Sequence, residues 1–328
     1  MPLIIELGKF CQQPKNLLWK IRVVKTTVSK KVIALFFVAV ICVVHFWRQH
    51  PVRSQHPVRS SSRPKLYVTS NGRLGNQLFQ YASLIGLAKT NNMTPVIQAE
   101  SDLWNVFKIW GEAGYESDLP HAVVFRDSRA GVFVKELTAL SESTIIDSYV
   151  QSYKYFENVK VEISKQHLAF KDNIQRSATD YIARVLQEKG RPLAKVVGVH
   201  IRRTDFSQRT RVGYSAASRP YLYRAMNYFQ RKYDDVVFIV ASDDIDWCRE
   251  KTVGPYNIHF SQTQSSTLDM AVLVNCDDVI ITTGSFSWWI GYLNKGLTVY
   301  YRDFPRAGTW LASLYAKEDY YPPEWIPL

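Results

Sequence analysis

The chain has 328 residues, 46% of them hydrophobic and 13% aromatic, with 41 Lys+Arg against 29 Asp+Glu. That composition excludes wholesale disorder, and the length suits two domains of about 130 residues or one large α/β domain with appendages. The formal charge of +12 would suit a nucleic-acid binder, but residues 1–63 hold eleven of the basic groups against one acid, Glu6, and the rest of the chain is nearly balanced. The excess therefore marks a tail and a membrane flank, and no nucleic-acid partner is expected.

Residues 1–31 form a basic tail. Val32–Trp47 reads VIALFFVAVICVVHFW, with no formal charge. As a helix it would be about 24 Å long, enough for a thin early-secretory membrane. A cleaved signal would need a short basic start and a small-x-small site. Here the leading region is long and the run ends in HFW, so the segment reads as a signal anchor rather than a signal peptide or a core helix. Basic residues lie on both sides of it, a weak orientation signal. The folded body after a single span fits a type II topology with a lumenal domain. Residues 48–64 contain a tandem QHPVRS hexapeptide and read as an extended stem.

From Lys65 apolar β-type runs alternate with helical patterns. Strands are expected at 65–69, 144–150, 195–201, 235–241, 277–282 and 297–301. Helices are expected at 75–90, 173–188, 219–233, 267–275 and 286–295. Near-continuous Val/Ile runs alternating with helices imply parallel strands buried on both faces. KGRP at 189–192 divides the body into an N-terminal lobe, 65–190, and a C-terminal lobe, 191–305. Two Rossmann-like lobes with a cleft between them are the expected architecture. Residues 306–328 should pack back as an irregular strap, because Trp325 and Ile326 are costly to expose.

Ligands of open parallel sheets bind beyond the carboxyl ends of the strands. After strand 195–201 comes HIRRTD. Strand alternation puts His200 and Arg202 on one face and Arg203 on the other, with Asp205 placed to hold an arginine. A guanidinium suits two phosphate oxygens at once. Before helix 286–295 comes TGSFSWW, where Ser285 is a natural N-cap and the helix start is an anion site; Trp288 and Trp289 read as packing. After strand 65–69 comes GRLGNQLFQYA, a glycine-bounded turn that is neither GxGxxG nor a Walker A loop, with Asn76 and Gln77 in the first helical turn.

Together GRLGNQLFQYA, HIRRTDF and TTGSFSWWIGYL, with QSYKYF after the strand at 144–150, resemble the galactoside 2-α-L-fucosyltransferases over residues 65–328. The resemblance implies a GT-B-type two-lobe fold, GDP-fucose as donor, a galactose-terminated glycan as acceptor, inversion at the anomeric carbon, and a type II Golgi membrane protein. It implies that Arg202 clamps the β-phosphate, that His200 shares that face, and that Ser285, Phe286 and Ser287 complete the diphosphate cradle. ASDD at 241–244 resembles the loop that contacts the nucleoside, with Asp243 on guanine. Arg203 and Asp205 complete the donor set, while Asn76 and Gln77 reach in from the other lobe near the transferred sugar.

The general base stays open, because no Asp or Glu occurs from Phe206 to Tyr233. No metal or other cofactor is expected. Asp244-Ile245-Asp246 has metal-site spacing on paper, but acids there serve a helix start, and Asp277-Asp278 lies at the wrong end of its strand. A sulfotransferase is disfavoured by the lysine-free GRLGNQ turn. A fucosyltransferase of different linkage and a catalytically silent, lectin-like or chaperone-like relative remain as alternatives. Asn92 heads the sole N-x-[ST] sequon, NMT. The four cysteines, Cys11, Cys42, Cys248 and Cys276, lack CxxC spacing and so argue against a zinc site. Cys248 and Cys276 are candidates for pairing in an oxidising compartment, although a parallel-sheet core equally holds free thiols.

Overall fold

The structure, a computed structural model, describes residues 63–252 and 254–328. The expected anchor at 32–47, the hexapeptide repeat, Cys11 and Cys42 lie outside the described residues. Eleven strands among the described residues form two sheets in which every pairing is parallel.

The first sheet has the order β3-β2-β1-β5-β4, from β1 (Lys65–Val68), β2 (Thr94–Gln98), β3 (Glu112–Gly114), β4 (Val123–Arg126) and β5 (Thr144–Asp147). The second has the order β11-β10-β9-β6-β7-β8, from β6 (Lys195–Ile201), β7 (Val236–Ser242), β8 (Ile258–Phe260), β9 (Asp278–Ile281), β10 (Thr298–Tyr300) and β11 (Ile326–Pro327). Val196–Ile201 and Val236–Ala241 are buried without interruption. Such burial on both faces is why these runs show no period of two.

Strand order reverses beside β1 in one sheet and beside β6 in the other. Each reversal leaves a crevice beyond the strand ends. The segments GRLGNQ, DSYVQS, HIRRTD and TGSFSW follow β1, β5, β6 and β9, the strands that flank the two crevices. Topology alone therefore gathers them.

Helix α1 (Leu74–Thr90) is almost wholly buried, which explains its weak amphipathic pattern. Helices α2 (Asp172–Glu188), α3 (Thr204–Gln208), α4 (Arg219–Lys232), α5 (Ile245–Lys251), α6 (Ser266–Val274) and α7 (Gly284–Leu293) follow. The N-terminal turns of α1 and α7 meet at Gly75, where a Cβ would lie 2.5 Å from the Phe286 backbone nitrogen. Only glycine permits that approach. Behind it an aromatic cluster joins the lobes. Phe79 lies 4.4 Å from Trp288 and 5.1 Å from Trp289, ring to ring. Trp288 stacks on Tyr292 at 4.9 Å and donates its indole N–H to the Tyr320 carbonyl at 2.7 Å. Both tryptophans are packing residues, as the sequence suggested.

Two expectations are corrected, one unexpected strand is explained and one open alternative is decided. Helix α7 begins at Gly284, whose φ of +87° favours glycine, so Thr283 rather than Ser285 occupies the N-cap position. The strap is not irregular: Ile326–Pro327 pairs with Val299 and Tyr300 as an edge strand, with Trp325 buried. Strand β2 went unseen because Pro95, which cannot donate to a ladder, obscures TPVIQ. Cys248 and Cys276 are buried free thiols in separate core clusters, and burial pushes the Cys248 thiol up to about 11.

Candidate active site

A cleft of about 950 Å³ runs between the two sets of strand ends. That is at the upper end of the range for small-molecule sites. From the second lobe it is lined by His200, Arg202, Asp205, Ser242, Asp243, Asp269, Gly284, Ser285 and Phe286. From the first it is lined by Asn76, Asp127, Asp147, Tyr149 and Gln151. A second cavity, beneath Gln77, measures about 20 Å³, room for a single water.

Arg202 follows the last residue of β6. Its backbone N–H donates to Thr282 Oγ1 at 2.9 Å. Its guanidinium meets Asp205 through Nε at 3.0 Å and Nη2 at 2.8 Å, and Asp243 through Nη1 at 3.1 Å. Those contacts fix the fork while each terminal nitrogen keeps a second N–H. Burial alone would raise the Asp205 carboxyl; hydrogen bonding and charge from Arg202, then Arg73, outweigh it and hold the group below its ordinary value. The Arg73 contact, Nη2 to Asp205 Oδ2 at 3.0 Å, crosses from one lobe to the other.

Arg203 is as sheltered as Arg202, each side chain being 19% exposed, but it turns away. It pairs with Asp244 at 3.2 Å and lies flat over Trp247 at 3.6 Å from the ring centre. Asp243 accepts from the backbone N–H groups of Arg203 at 2.9 Å and Thr204 at 3.2 Å, and from the Thr204 hydroxyl. Its observed work is to brace the arginine loop at the cleft wall.

His200 is buried, its Nδ1 2.6 Å from Ser287 Oγ and its ring 5.0 Å from Phe286. Burial lowers its pKa to about 4, against a raising effect of Asp243 and with a further lowering by Arg202. The imidazole is therefore neutral at neutral pH. Ser287 lies beneath the surface as its hydrogen-bond partner rather than on the cleft wall.

Asn76 is where the lobes meet chemically. Its Oδ1 accepts from Ser285 Oγ at 2.6 Å and from Gln151 Nε2 at 3.0 Å, while Gln151 Oε1 accepts from Tyr315 at 2.9 Å. With the carbonyl side committed, the amide nitrogen of Asn76 packs against Gly72, where a Cβ would lie 2.4 Å from it. Gln77 faces the other way, donating to the Gly72 carbonyl at 3.2 Å and accepting from Ser101 Oγ at 3.2 Å. Asn92 is exposed in the turn after α1.

The two acidic pairs have structural partners. Asp244 caps α5, accepting from the Trp247 N–H at 3.4 Å, and Asp246 meets Arg249 at 3.2 Å. Asp277 meets Lys195 at 2.8 Å, and Asp278 accepts from the Leu297 N–H at 2.7 Å. Among the described residues no group of three or more His, Cys, Asp or Glu is placed to hold a metal ion.

Sequence reasoning missed Asp269, Asp127 and Asp147. Asp269 sits in the first turn of α6, and burial raises its pKa despite hydrogen bonds from Ser261 at 2.5 Å and Thr263 at 2.7 Å. Asp127 is gripped by Arg129, whose Nη2 lies 2.7 Å from Oδ2, and that hydrogen bond holds the carboxyl low against burial. Asp147 meets Arg126 at 3.1 Å. A position towards the carboxyl end of a parallel strand was the available signal for Asp147; none existed for Asp127, because β4 left no sign in the sequence.

The arrangement offers a fixed guanidinium fork and the free N–H groups of a helix start on one side, and carboxylates and amide groups on the other. It is suited to holding a diphosphate against a polar, hydroxyl-bearing partner. The chain is similar to known proteins over most of its length. The chain is 29% identical over 281 residues to galactoside 2-alpha-L-fucosyltransferase Sec1 of Mus musculus, covering 82% of this chain and 76% of the relative. It is 29% identical over 289 residues to galactoside alpha-(1,2)-fucosyltransferase 1 of Plecturocebus brunneus, covering 84% and 77%. A solved structure of an Arabidopsis thaliana FUT1 mutant in complex with GDP superposes with a TM-score of 0.49 at 10% identity, covering 77% of this chain and 73% of that one. The profile of glycosyl transferase family 11 matches residues 23–328, and the chain belongs to that family.

Proposed function

We propose that the protein is a galactoside 2-α-L-fucosyltransferase, moving L-fucose from GDP-fucose to the 2-hydroxyl of a galactoside with inversion. The observation that carries the reading is the braced Arg202 fork beside the start of α7 on one wall of the cleft, in a chain whose relatives are named for this reaction.

In the proposed reaction the bond between fucose C1 and the β-phosphate oxygen breaks, and its electron pair stays on GDP. Arg202 and the N–H groups at the start of α7 stabilise that developing charge. Asn76 lines the cleft from the first lobe. The galactoside 2-hydroxyl attacks C1 from the opposite side and gives up its proton to a first-lobe carboxylate or to water. Departure of GDP running ahead of attack reduces the demand for a strong base, which suits a wall where Asp127 is held ionised by Arg129. Because cationic groups already face the leaving phosphate, no divalent metal is required.

The two parallel-sheet lobes support a GT-B-type description. The uncharged run 32–47 between basic flanks supports a type II anchor in the Golgi membrane with the catalytic lobes lumenal. Incubating the purified full chain with GDP-fucose and methyl β-D-galactopyranoside tests the reading. The expected product is the α1,2-linked disaccharide, identified by NMR. A product at another hydroxyl would assign a different linkage, and neither transfer nor GDP release would indicate a silent relative.

A further inference from the structure

We propose that Trp310 and Tyr149 form the stacking floor of the acceptor subsite, which binds the apolar face of the galactose ring; the proposal rests on the fucosyl-transfer reading. Four large aromatic side chains are exposed among the described residues: Trp110, Tyr115, Tyr149 and Trp310. Two of them, Trp310 at 64% and Tyr149 at 41%, line the one cleft that already holds the anion site. Leaving an indole in water forgoes burial worth about 2 kcal/mol, and exposed apolar surface inside a polar cleft marks a ligand contact.

The backbone around Trp310 is fixed. Thr309 Oγ1 donates to the Arg306 carbonyl at 2.6 Å, Ser313 Oγ donates to the Trp310 carbonyl at 2.6 Å, and Leu311 is buried. Although this segment follows the second sheet, it is stitched to the first lobe. Gly131 N–H donates to the Leu314 carbonyl and Ala316 N–H to the Gly131 carbonyl, each at 3.0 Å. Tyr315 reaches Gln151, two residues beyond Tyr149. Both aromatic residues therefore sit on segments tied to the first lobe, which also carries Asp127 and Asp147.

The occupant follows from the chemistry. In β-galactopyranose the axial 4-hydroxyl occupies one face and leaves the other with C–H groups at C3, C4 and C5. Those hydrogens carry partial positive charge and suit the negative face of an indole or phenol ring. The remaining hydroxyls need acceptors, and carboxylates supply them. Asp127 and Asp147, each held by its own arginine, present such oxygens to the cleft.

Steady-state kinetics of the full chain test the assignment, with methyl β-D-galactopyranoside as acceptor. Trp310→Ala should raise the acceptor KM about tenfold or more. The GDP-fucose KM and the acceptor-free hydrolysis of GDP-fucose should stay within about twofold. Trp310→Phe should recover most of the loss, which a merely structural defect would not. Fluorescence titration with the same galactoside in the presence of GDP reads the subsite whether or not fucose is transferred; Trp310→Phe should bind and Trp310→Ala should not. An acceptor KM unchanged in Trp310→Ala, or a GDP-fucose KM that rises equally, overturns the floor while leaving the fucosyltransferase reading intact. Galactoside binding without transfer by the wild type would instead overturn that reading and keep the floor.

Discussion

The two walls of the cleft both carry arginine–carboxylate pairs and differ in whether the arginine reaches the cleft. On the second-lobe wall the arginine and its carboxylates line the cleft together: Arg202 is braced there by Asp205 and Asp243. On the first-lobe wall the carboxylates face the cleft and the arginines stand outside: Asp127 and Asp147 line it, whereas Arg126 and Arg129 do not. A braced pair presents a charge in a fixed direction without leaving that charge unpaired. An arginine kept in the cleft makes an anion site, and an arginine withdrawn from it leaves carboxylates for hydroxyl donors. The molecule thus separates its two ligand chemistries by which member of a shared motif reaches the cleft.

The largest expected effect breaks the contrast at its cationic side. Arg202→Lys should cost about 2–4 kcal/mol in transition-state stabilisation, since an ammonium cannot keep both braces and a bidentate contact. Arg203→Lys should cost much less, because that side chain lies over Trp247 outside the cleft. The ratio of the two kcat/KM values decides it, and equal losses would reject the asymmetry. The seam between the walls is tested next. Gln151→Glu puts a second acceptor against Asn76 Oδ1 and should turn the amide around, lowering kcat about tenfold to a hundredfold with GDP affinity by calorimetry preserved. Tyr315→Phe should show a weaker form of the same split, and a matching loss of GDP affinity would make Gln151 a structural residue only.

A smaller effect sharpens the role of burial. His200 has a folded pKa of about 4 against an ordinary 6.5, so as pH falls below about 6.5 the unfolded chain binds the proton and the folded chain does not. Stability present above that value is lost progressively towards pH 4, by about 2 kcal/mol at pH 5. Urea unfolding at pH 7 and pH 5 should show His200→Gln to be less acid-sensitive than wild type by that margin. The smallest expected effect is none: excess EDTA should leave fucosyl transfer unchanged. Loss of activity restored by Mn²⁺ would move the cationic role from Arg202 to a metal.

The centre of the second lobe was legible in the sequence because its strands are buried on both faces, whereas the short, partly buried edge strands β8 and β11 were not. KVVGVHI and VVFIVAS are long runs of β-branched residues with no competing pattern, and β6 falls on the expected residues, 195–201. The first lobe was less so. Its strands β2, β3 and β4 are three to five residues long; one contains Pro95, and Val123 and Val124 of β4 are exposed at the sheet edge. Site residues followed the same division. The opposed directions of Arg202 and Arg203 were readable from strand alternation. Gln77 was not, since helical geometry sends Asn76 and its neighbour about 100° apart and only tertiary packing decides which one meets the cleft. Trp310 was unreadable for another reason: a single tryptophan opening a four-residue helix carries no period, and its exposure exists only once the fold does.

The segment around residues 317–328 has a consequence for the order in which this protein is completed during synthesis. Asp319 accepts from the Phe133 N–H at 2.8 Å and Lys154 at 2.6 Å, and its carbonyl accepts from Ser152 at 2.7 Å. Tyr320 takes the Trp288 indole, and Ile326–Pro327 closes the edge of the second sheet. These partners lie between Phe133 and Tyr300, all of which leave the ribosome earlier. Until the strap emerges, the Trp288 indole N–H lacks the Tyr320 carbonyl and β10 is an open edge, a state prone to pairing with other chains. Vectorial synthesis therefore leaves the nascent body waiting for its own latch, and the interval before that latch arrives is when chaperone protection matters most.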